Sequence, residues 1–344
     1  MTRLMLLTRR TFAGLAGTTA LVAGFGLATP LMAQTNLTVA VPNPSAITWL
    51  PMWAAIGEGY FEEEGLTLQV EAVDGSGQVI QAMAAGQAQI GAPGPGPVLA
   101  ARSRGVDVKF IYNLYPKSVF GILVPSDSDY QTPEDLRDTT IGVGTADGAE
   151  VSFARAIFSD LGMEQDTNYT FLPVGDGGTA AVGFMRGDVA GYVGAVSDAA
   201  ILASRGMDLR EITPEEYLAF FGNGFAVMQE FIDANPEMIE GFGRAMVHGM
   251  EFAGDPANLE AALDHAAAGN AQEGEDREFA GALLVAAHER MTPTDAYIEQ
   301  GFGYQPPEHW EAWHESLLAS GDLSAPLDDL EAAYTNEFVE AWNQ

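Results

Sequence analysis

Hydrophobic positions along the chain recur at two alternating periods. Residues 37–41 form a short apolar run, and Leu66-Thr67-Leu68-Gln69-Val70-Glu71-Ala72 alternates apolar with polar, the period of a half-buried strand. Between them, residues 47–61 carry the spacing of a helix. The same scheme predicts strands over 90–92, 108–114, 140–144, 170–174, 189–193 and 225–228, with helical stretches between most of them. Regular alternation of this kind predicts an α/β protein with parallel sheets, and ligands at the carboxyl ends of the strands. From Gln229 onward the pattern changes to helices alone, rich in Ala and Glu.

Two extended apolar segments, 119–125 and 222–228, bracket about a hundred residues that contain their own strand-helix-strand units. They read as two crossings between lobes. One lobe is then discontinuous, 34–123 with 224–344, and the other is the inserted 124–223. A two-lobed protein with a paired hinge has a cleft that closes over a small molecule.

Residues 1–33 stand apart from this pattern. Thr8-Arg9-Arg10-Thr11-Phe12 precedes an uncharged, weakly hydrophobic stretch over 13–28 and then Pro30, which reads as a twin-arginine export signal. Cleavage after Ala33, or after Ala28, leaves a soluble periplasmic protein; the stretch is shorter than the ~20 residues of a membrane span.

Charge and cysteine count narrow the chemistry. There are 48 Asp and Glu against 15 Lys and Arg, a net charge of -33, and no Cys in 344 residues. Without a basic cluster, nucleic acid and anionic membranes are excluded as partners. Without Cys there is no disulfide, thiolate metal site, iron-sulfur cluster or lipoprotein anchor. All five His fall at or after residue 248, and the His309 and His314 spacing is not a zinc pattern. No nucleophile elbow or phosphate loop is present. The expectation is a binder, with no catalytic residue, metal or cofactor.

The candidate binding residues lie in Gly-rich turns that each follow a strand: Asp74-Gly75-Ser76-Gly77, Pro93-Gly94-Pro95-Gly96-Pro97, Thr145-Ala146-Asp147-Gly148-Ala149 and Asp176-Gly177-Gly178-Thr179. Each is able to aim backbone N–H groups into a cleft. Candidate contacts are Ser76, Gly77, Gly94, Pro95, Asp147 and Asp176 in these turns, with Asn43, Ser45, Ser197, Asp198 and Asn223 beside them. Asp147 and Asp198 either cap helices or face a ligand amine. Trp49 and Tyr115, with Phe221, are the aromatic candidates for stacking, and Trp53 reads as core. Only Lys117 and Arg155 are nearby cations, which disfavours a multiply charged anion. The ligand expected is a small organic solute, neutral or zwitterionic, with a ring or amine.

The run Ala55-Ile56-Gly57-Glu58-Gly59-Tyr60-Phe61-Glu62-Glu63-Glu64-Gly65-Leu66-Thr67-Leu68, then Met83-Ala84-Ala85-Gly86-Gln87-Ala88-Gln89-Ile90-Gly91, resembles the periplasmic solute-binding proteins of ABC importers, in the branch serving nitrate, sulfonates, taurine and pyrimidine precursors. Pro133-Glu134-Asp135-Leu136, Met185-Arg186-Gly187-Asp188-Val189 and the Tyr-Thr-Asn-Glu-Phe within 330–339 extend the resemblance over nearly the whole chain after residue 33. It implies a type II periplasmic binding protein, a monomer whose partners are a membrane permease and its ATPase. It also implies an anionic head group, a sulfonate for example, at Thr145, Gly148 and Ala149. A sensor or adaptor of the same fold is the alternative. The pyrimidine-precursor synthase of the fold is disfavoured by the missing Cys.

Overall fold

The computed structural model describes Gln34–Gln344 except residues 219 and 293. Ten strands form two five-stranded sheets. The first contains β1 (Thr35–Val41), β2 (Leu66–Ala72), β3 (Ile90–Gly91), β4 (Val108–Asn113) and β10 (Gly224–Met228), in the order β2-β1-β3-β10-β4. The second contains β5 (Phe120–Pro125), β6 (Thr139–Val143), β7 (Tyr169–Pro173), β8 (Gly191–Ala195) and β9 (Leu209–Glu211), in the order β7-β6-β8-β5-β9. Helices cover both sheets, so the α/β class and the two-lobed architecture follow from the alternation.

The sheets are mixed rather than parallel throughout. β1, β2 and β3 run parallel, as do β6, β7 and β8, but β10 is antiparallel to β3 and β4, and β5 is antiparallel to β8 and β9. The reason is topological. β4 finishes at the carboxyl end of the first sheet, so the chain enters the second sheet at that sheet's carboxyl end and β5 must run backwards through it. β10 repeats this on the return. Segments 119–125 and 222–228 are therefore mostly strand, with the crossings just ahead of them. All of β5 lies in the second sheet, including Phe120–Leu123, which precede the boundary expected at 123/124.

Local chemistry accounts for the other departures. The helix expected over 47–61 is split: a 3-10 turn at Ile47–Trp49, a helix Leu50–Glu58, then Tyr60–Glu63. Gly59, at φ +83°, supplies the left-handed cap that ends Leu50–Glu58. Phe61 is buried on Phe242 while Tyr60 is only half-buried, against His248. β8 begins two residues later than its apolar run, and β9, three residues on a sheet edge of which none is buried, has no apolar pattern to announce it.

The C-terminal helices brace the first sheet. Helix Pro236–Gly254 buries Ile239, Phe242, Ala245, Met246 and Gly249, one stripe at helical spacing. A Cβ on Gly249 would stand 2.1 Å from the Pro51 carbonyl oxygen, so glycine there lets this helix lie against Leu50–Glu58. Helix Pro307–Ser320 buries Trp310 and Trp313 and turns Glu308, Glu311 and Glu315 outward. His314 Nε2 accepts from Leu327 N at 3.0 Å and His309 packs on Phe221. Among the described residues no group of His, Asp and Glu is arranged to hold a metal, and no helix is long and apolar enough to cross a membrane. The twin-arginine signal and its cleavage sites lie outside the described residues.

Candidate functional site

A cavity lies between the carboxyl ends of the two sheets' strands, and its two walls differ in chemistry. The first-sheet wall is aromatic and uncharged: Asn43 follows β1, Ser76 follows β2, Tyr115 follows β4, Asn223 precedes β10, and Thr48 and Trp49 come from the 3-10 turn. The second-sheet wall carries the acids, beside Phe120 of β5. Glu150, Asp176 and Asp198 follow β6, β7 and β8, one carboxylate at the end of each parallel strand, with Thr145 and Ala149 beside them. No Lys or Arg lines this cavity. Lys117 lies elsewhere, its Nζ near the Glu289 carbonyl, and Arg155 pairs with Asp322.

Several backbone N–H groups at these turns are taken by the protein's own side chains. Gly94 N donates to Ser76 Oγ at 3.1 Å, and Thr145 N to Glu150 Oε1 at 3.0 Å. Asp198 accepts from Gly177 N and Ala195 N, both at 3.0 Å, and from the Tyr192 hydroxyl at 3.2 Å. Asp198 thus caps the helix Val196–Ser204 and also lines the cavity. Internal carboxylates thus occupy three donors that an anion could use, Thr145 N, Gly177 N and Ala195 N.

Burial and mutual repulsion shape the titration of these acids. Glu150 is pushed up to about 8, first by burial and then by the charges of Asp176 and Asp198, against the opposing pull of its bond from Thr145 N. Asp198 is raised to about 7 by burial and by Asp176, its three hydrogen bonds pulling the other way.

Of the residues expected at a site, Asn43, Trp49, Ser76, Tyr115, Thr145, Ala149, Asp176, Asp198 and Asn223 meet around this cavity. Ser45 and Ser197 open instead onto an adjoining outer hollow of about 750 Å³, which shares Asn43, Asp176 and Asp198 with the inner cavity. Ser45 braces the Trp49 turn, its Oγ accepting from the Thr48 hydroxyl at 3.0 Å. Asp147 is exposed and neither caps the helix Ala149–Asp160 nor lines the cavity, because Gly148 supplies the extended cap conformation and Glu150 folds back over the turn. Phe221 is core, packed on Phe110 and Trp310. Trp53 packs beneath Gly269.

Gly77, Gly94, Pro95 and Gly148 do not line the cavity. The first two lie where the lobes touch. A Cβ on Gly94 would stand 2.4 Å from Ala149 Cβ, one on Gly96 2.9 Å from Ser152 Cβ, and one on Gly77 2.0 Å from an Asp147 carboxylate oxygen. Helix Pro95–Ser103 thereby closes on helix Ala149–Asp160. The inner cavity keeps about 50 Å³, room for a few waters at roughly 10–15 Å³ each, and adjoins the outer hollow along Asn43, Asp176 and Asp198.

Glu150 is the main residue that sequence reading passed over. An acid in the first turn of a helix is ordinary complementation of the helix dipole, and the neighbouring Asp147 drew attention away from it. Three polar atoms in the cavity wall find no partner: Trp49 Nε1, Thr145 Oγ1 and Asn223 Oδ1.

Residues 47–258 match the family model described as NMT1/THI5 like. The riboflavin-binding protein RibY of Chloroflexus aurantiacus is 29% identical over 323 residues, covering 91% of this chain and 88% of that protein. The alkanesulfonate-binding protein SsuA of Xanthomonas axonopodis pv. citri, solved bound to MOPS, superposes with a TM-score of 0.66 at 16% identity, over 88% of this chain and 99% of that one. The desulfurization enzyme DSZB shares the fold at a TM-score of 0.56 and 17% identity, over 89% and 98% of the two chains.

Proposed function

The chain belongs to the NMT1/THI5-like family and has the fold of the periplasmic binding proteins, and from that premise we propose that it is the solute-binding component of an ABC importer. Its two lobes, one built on each sheet, close over a small uncharged organic solute with a ring and several hydrogen-bond donors, and the closed form is what the membrane permease and its ATPase receive. The observation that carries the reading is the pairing of an aromatic, neutral first wall with a second wall where Glu150 and Asp198 occupy the N–H groups of Thr145, Gly177 and Ala195. That arrangement works against a sulfonate or nitrate, which needs those donors free. Carboxylates accept readily from hydroxyl and N–H groups, and the flavin bound by the RibY relative is a solute of that kind.

A thermal-shift and calorimetric panel tests this, with riboflavin, aromatic amines, MOPS and nitrate as probes. A solute at a hundred times its Kd adds about 2.7 kcal/mol of stability, a shift of several degrees. Shifts are expected with uncharged ring solutes and not with the anions. Tight MOPS binding would overturn the assignment of solute class, and recovery of a bound solute chemically altered would replace the binder by an enzyme. Export belongs to the same proposal: the protein recovered from a periplasm is expected to begin at Gln34, read by intact mass. A retained segment 1–33 would count against the twin-arginine route with cleavage.

A further inference from the structure

The first wall goes further than a preference for rings, because it holds one donor and one acceptor in fixed positions. Trp49 is 1% exposed and Asn223 is 5% exposed, and neither Trp49 Nε1–H nor Asn223 Oδ1 has a partner within the protein. Asn223 Nδ2 donates to the Ala92 carbonyl at 3.1 Å, so the amide cannot turn over and its oxygen is the atom left for a ligand. Trp49 is held as firmly. Its ring packs on Phe225 with centroids 6.2 Å apart, and the turn that carries it is tied at both ends. Glu273, buried on a C-terminal helix, accepts from Ile47 N at 2.9 Å, and the Tyr115 hydroxyl donates to the Thr48 carbonyl at 2.6 Å.

A buried donor and a buried acceptor left unpaired are both costly, so a fitting solute supplies one of each. Resting on the reading of this cavity as the solute site, we propose that the solute is an uncharged planar heterocycle presenting a lactam or imide edge. Its ring carbonyl accepts from Trp49 Nε1 and the adjoining ring N–H donates to Asn223 Oδ1. The unpartnered Thr145 hydroxyl across the cavity pairs with either kind of group. An ammonium group, which only donates, leaves the indole N–H unpaired. A simple amine therefore fits worse than a heterocycle with both functions.

The test uses the exported full-length protein after signal removal. Riboflavin, lumichrome and uracil carry the imide edge, and 3-methylriboflavin is the same flavin with the ring N–H replaced by a methyl. Calorimetric titration is expected to give binding of at least one imide probe, with 3-methylriboflavin at least tenfold weaker than riboflavin. Trp49→Phe, which keeps the ring and removes the donor, is expected to weaken the imide probe by fivefold or more while the melting temperature of the free protein holds. Should that variant fold poorly, the riboflavin pair on the unmodified protein decides alone. Equal affinity for riboflavin and its methyl analogue would overturn the edge assignment and leave the solute site standing. So would binding of an amine with no imide probe bound. If no solute of the wider panel binds, the site reading itself falls, and this inference with it.

Discussion

Gly94→Val is expected to lower the affinity for riboflavin, or for whichever panel solute binds, by about 30- to 150-fold while leaving the free protein folded. Gly94 has ordinary extended geometry, φ -81° and ψ 162°, so a side chain brings no backbone strain. The severe conflict is where the lobes meet, since the new Cβ would stand 2.4 Å from Ala149 Cβ, with Asn223 Oδ1 next at 3.5 Å. Ala149 Cβ is fixed to a helix backbone and cannot rotate aside. Overpacking of this sort costs about 2–3 kcal/mol, and that cost falls on the closed form alone, so it is subtracted from the free energy of binding. Titration calorimetry reads the affinity, and small-angle scattering reads the radius of gyration with and without solute. The wild-type chain should compact on binding and the variant should not. An affinity within threefold of wild type would show that the seam is not part of closure.

Raising the pH from 5 to 9 is expected to destabilise the free protein, and Glu150→Gln to remove much of that loss. The sign follows from where the protons reside. In the unfolded chain Glu150 titrates near its ordinary value, whereas in the fold it is held up at about 8, and Asp198 at about 7. Below pH 4 both states keep these protons. Between pH 4 and 8 the unfolded chain releases them and the native chain retains them, so the native state binds more protons and its stability falls as pH rises. Above about pH 8 both states are ionised and the loss is complete. At about 1.4 kcal/mol for each unit of pKa displacement, Glu150 contributes on the order of 3–5 kcal/mol across the window. Glutamine still accepts from Thr145 N through its carbonyl oxygen but has no charge to bury. Its melting temperature at pH 8.5 should exceed that of the wild type by several degrees, with little difference at pH 5. A wild-type stability that rises between pH 5 and 8 would remove the account of these acids as buried without a cation.

How much of this was legible beforehand depended on whether the signal was local. Strand-helix alternation is local, since period two in residues 66–72 and helical spacing in 236–254 report the face each element buries. It sufficed for the α/β class, for eight of the ten strands in approximate position, and for a cleft at the strands' carboxyl ends. The resemblance of residues 55–91 to the solute-binding proteins agrees with the match over residues 47–258. Composition told of the missing cysteine chemistry; it did not show that Arg205 packs on Gly178 in the Asp176–Thr179 turn and lines the outer hollow together with Arg277.

Tertiary structure decided the rest, and always for the same reason: the deciding partner is distant in the chain. Strand direction in β5 and β10 depends on which end of a sheet the crossing chain reaches. Gly94 looked like a ligand turn because its neighbours in sequence are Pro93, Pro95 and Gly96, yet its function is set by Ala149 on the other lobe. The N–H groups of Thr145 and Gly177 read as free in the sequence, but Glu150 and Asp198 fold back onto them. Trp49 was readable as an aromatic candidate, but its unpaired N–H and its bracing by Glu273, 226 residues away from Ile47, exist only in the folded chain. A sequence by itself specifies which groups are present and which faces are apolar. Whether a polar group is spent inside the protein or kept for a ligand is settled by packing, because a hydrogen bond needs its partner within about 3 Å and the chain alone does not bring it there.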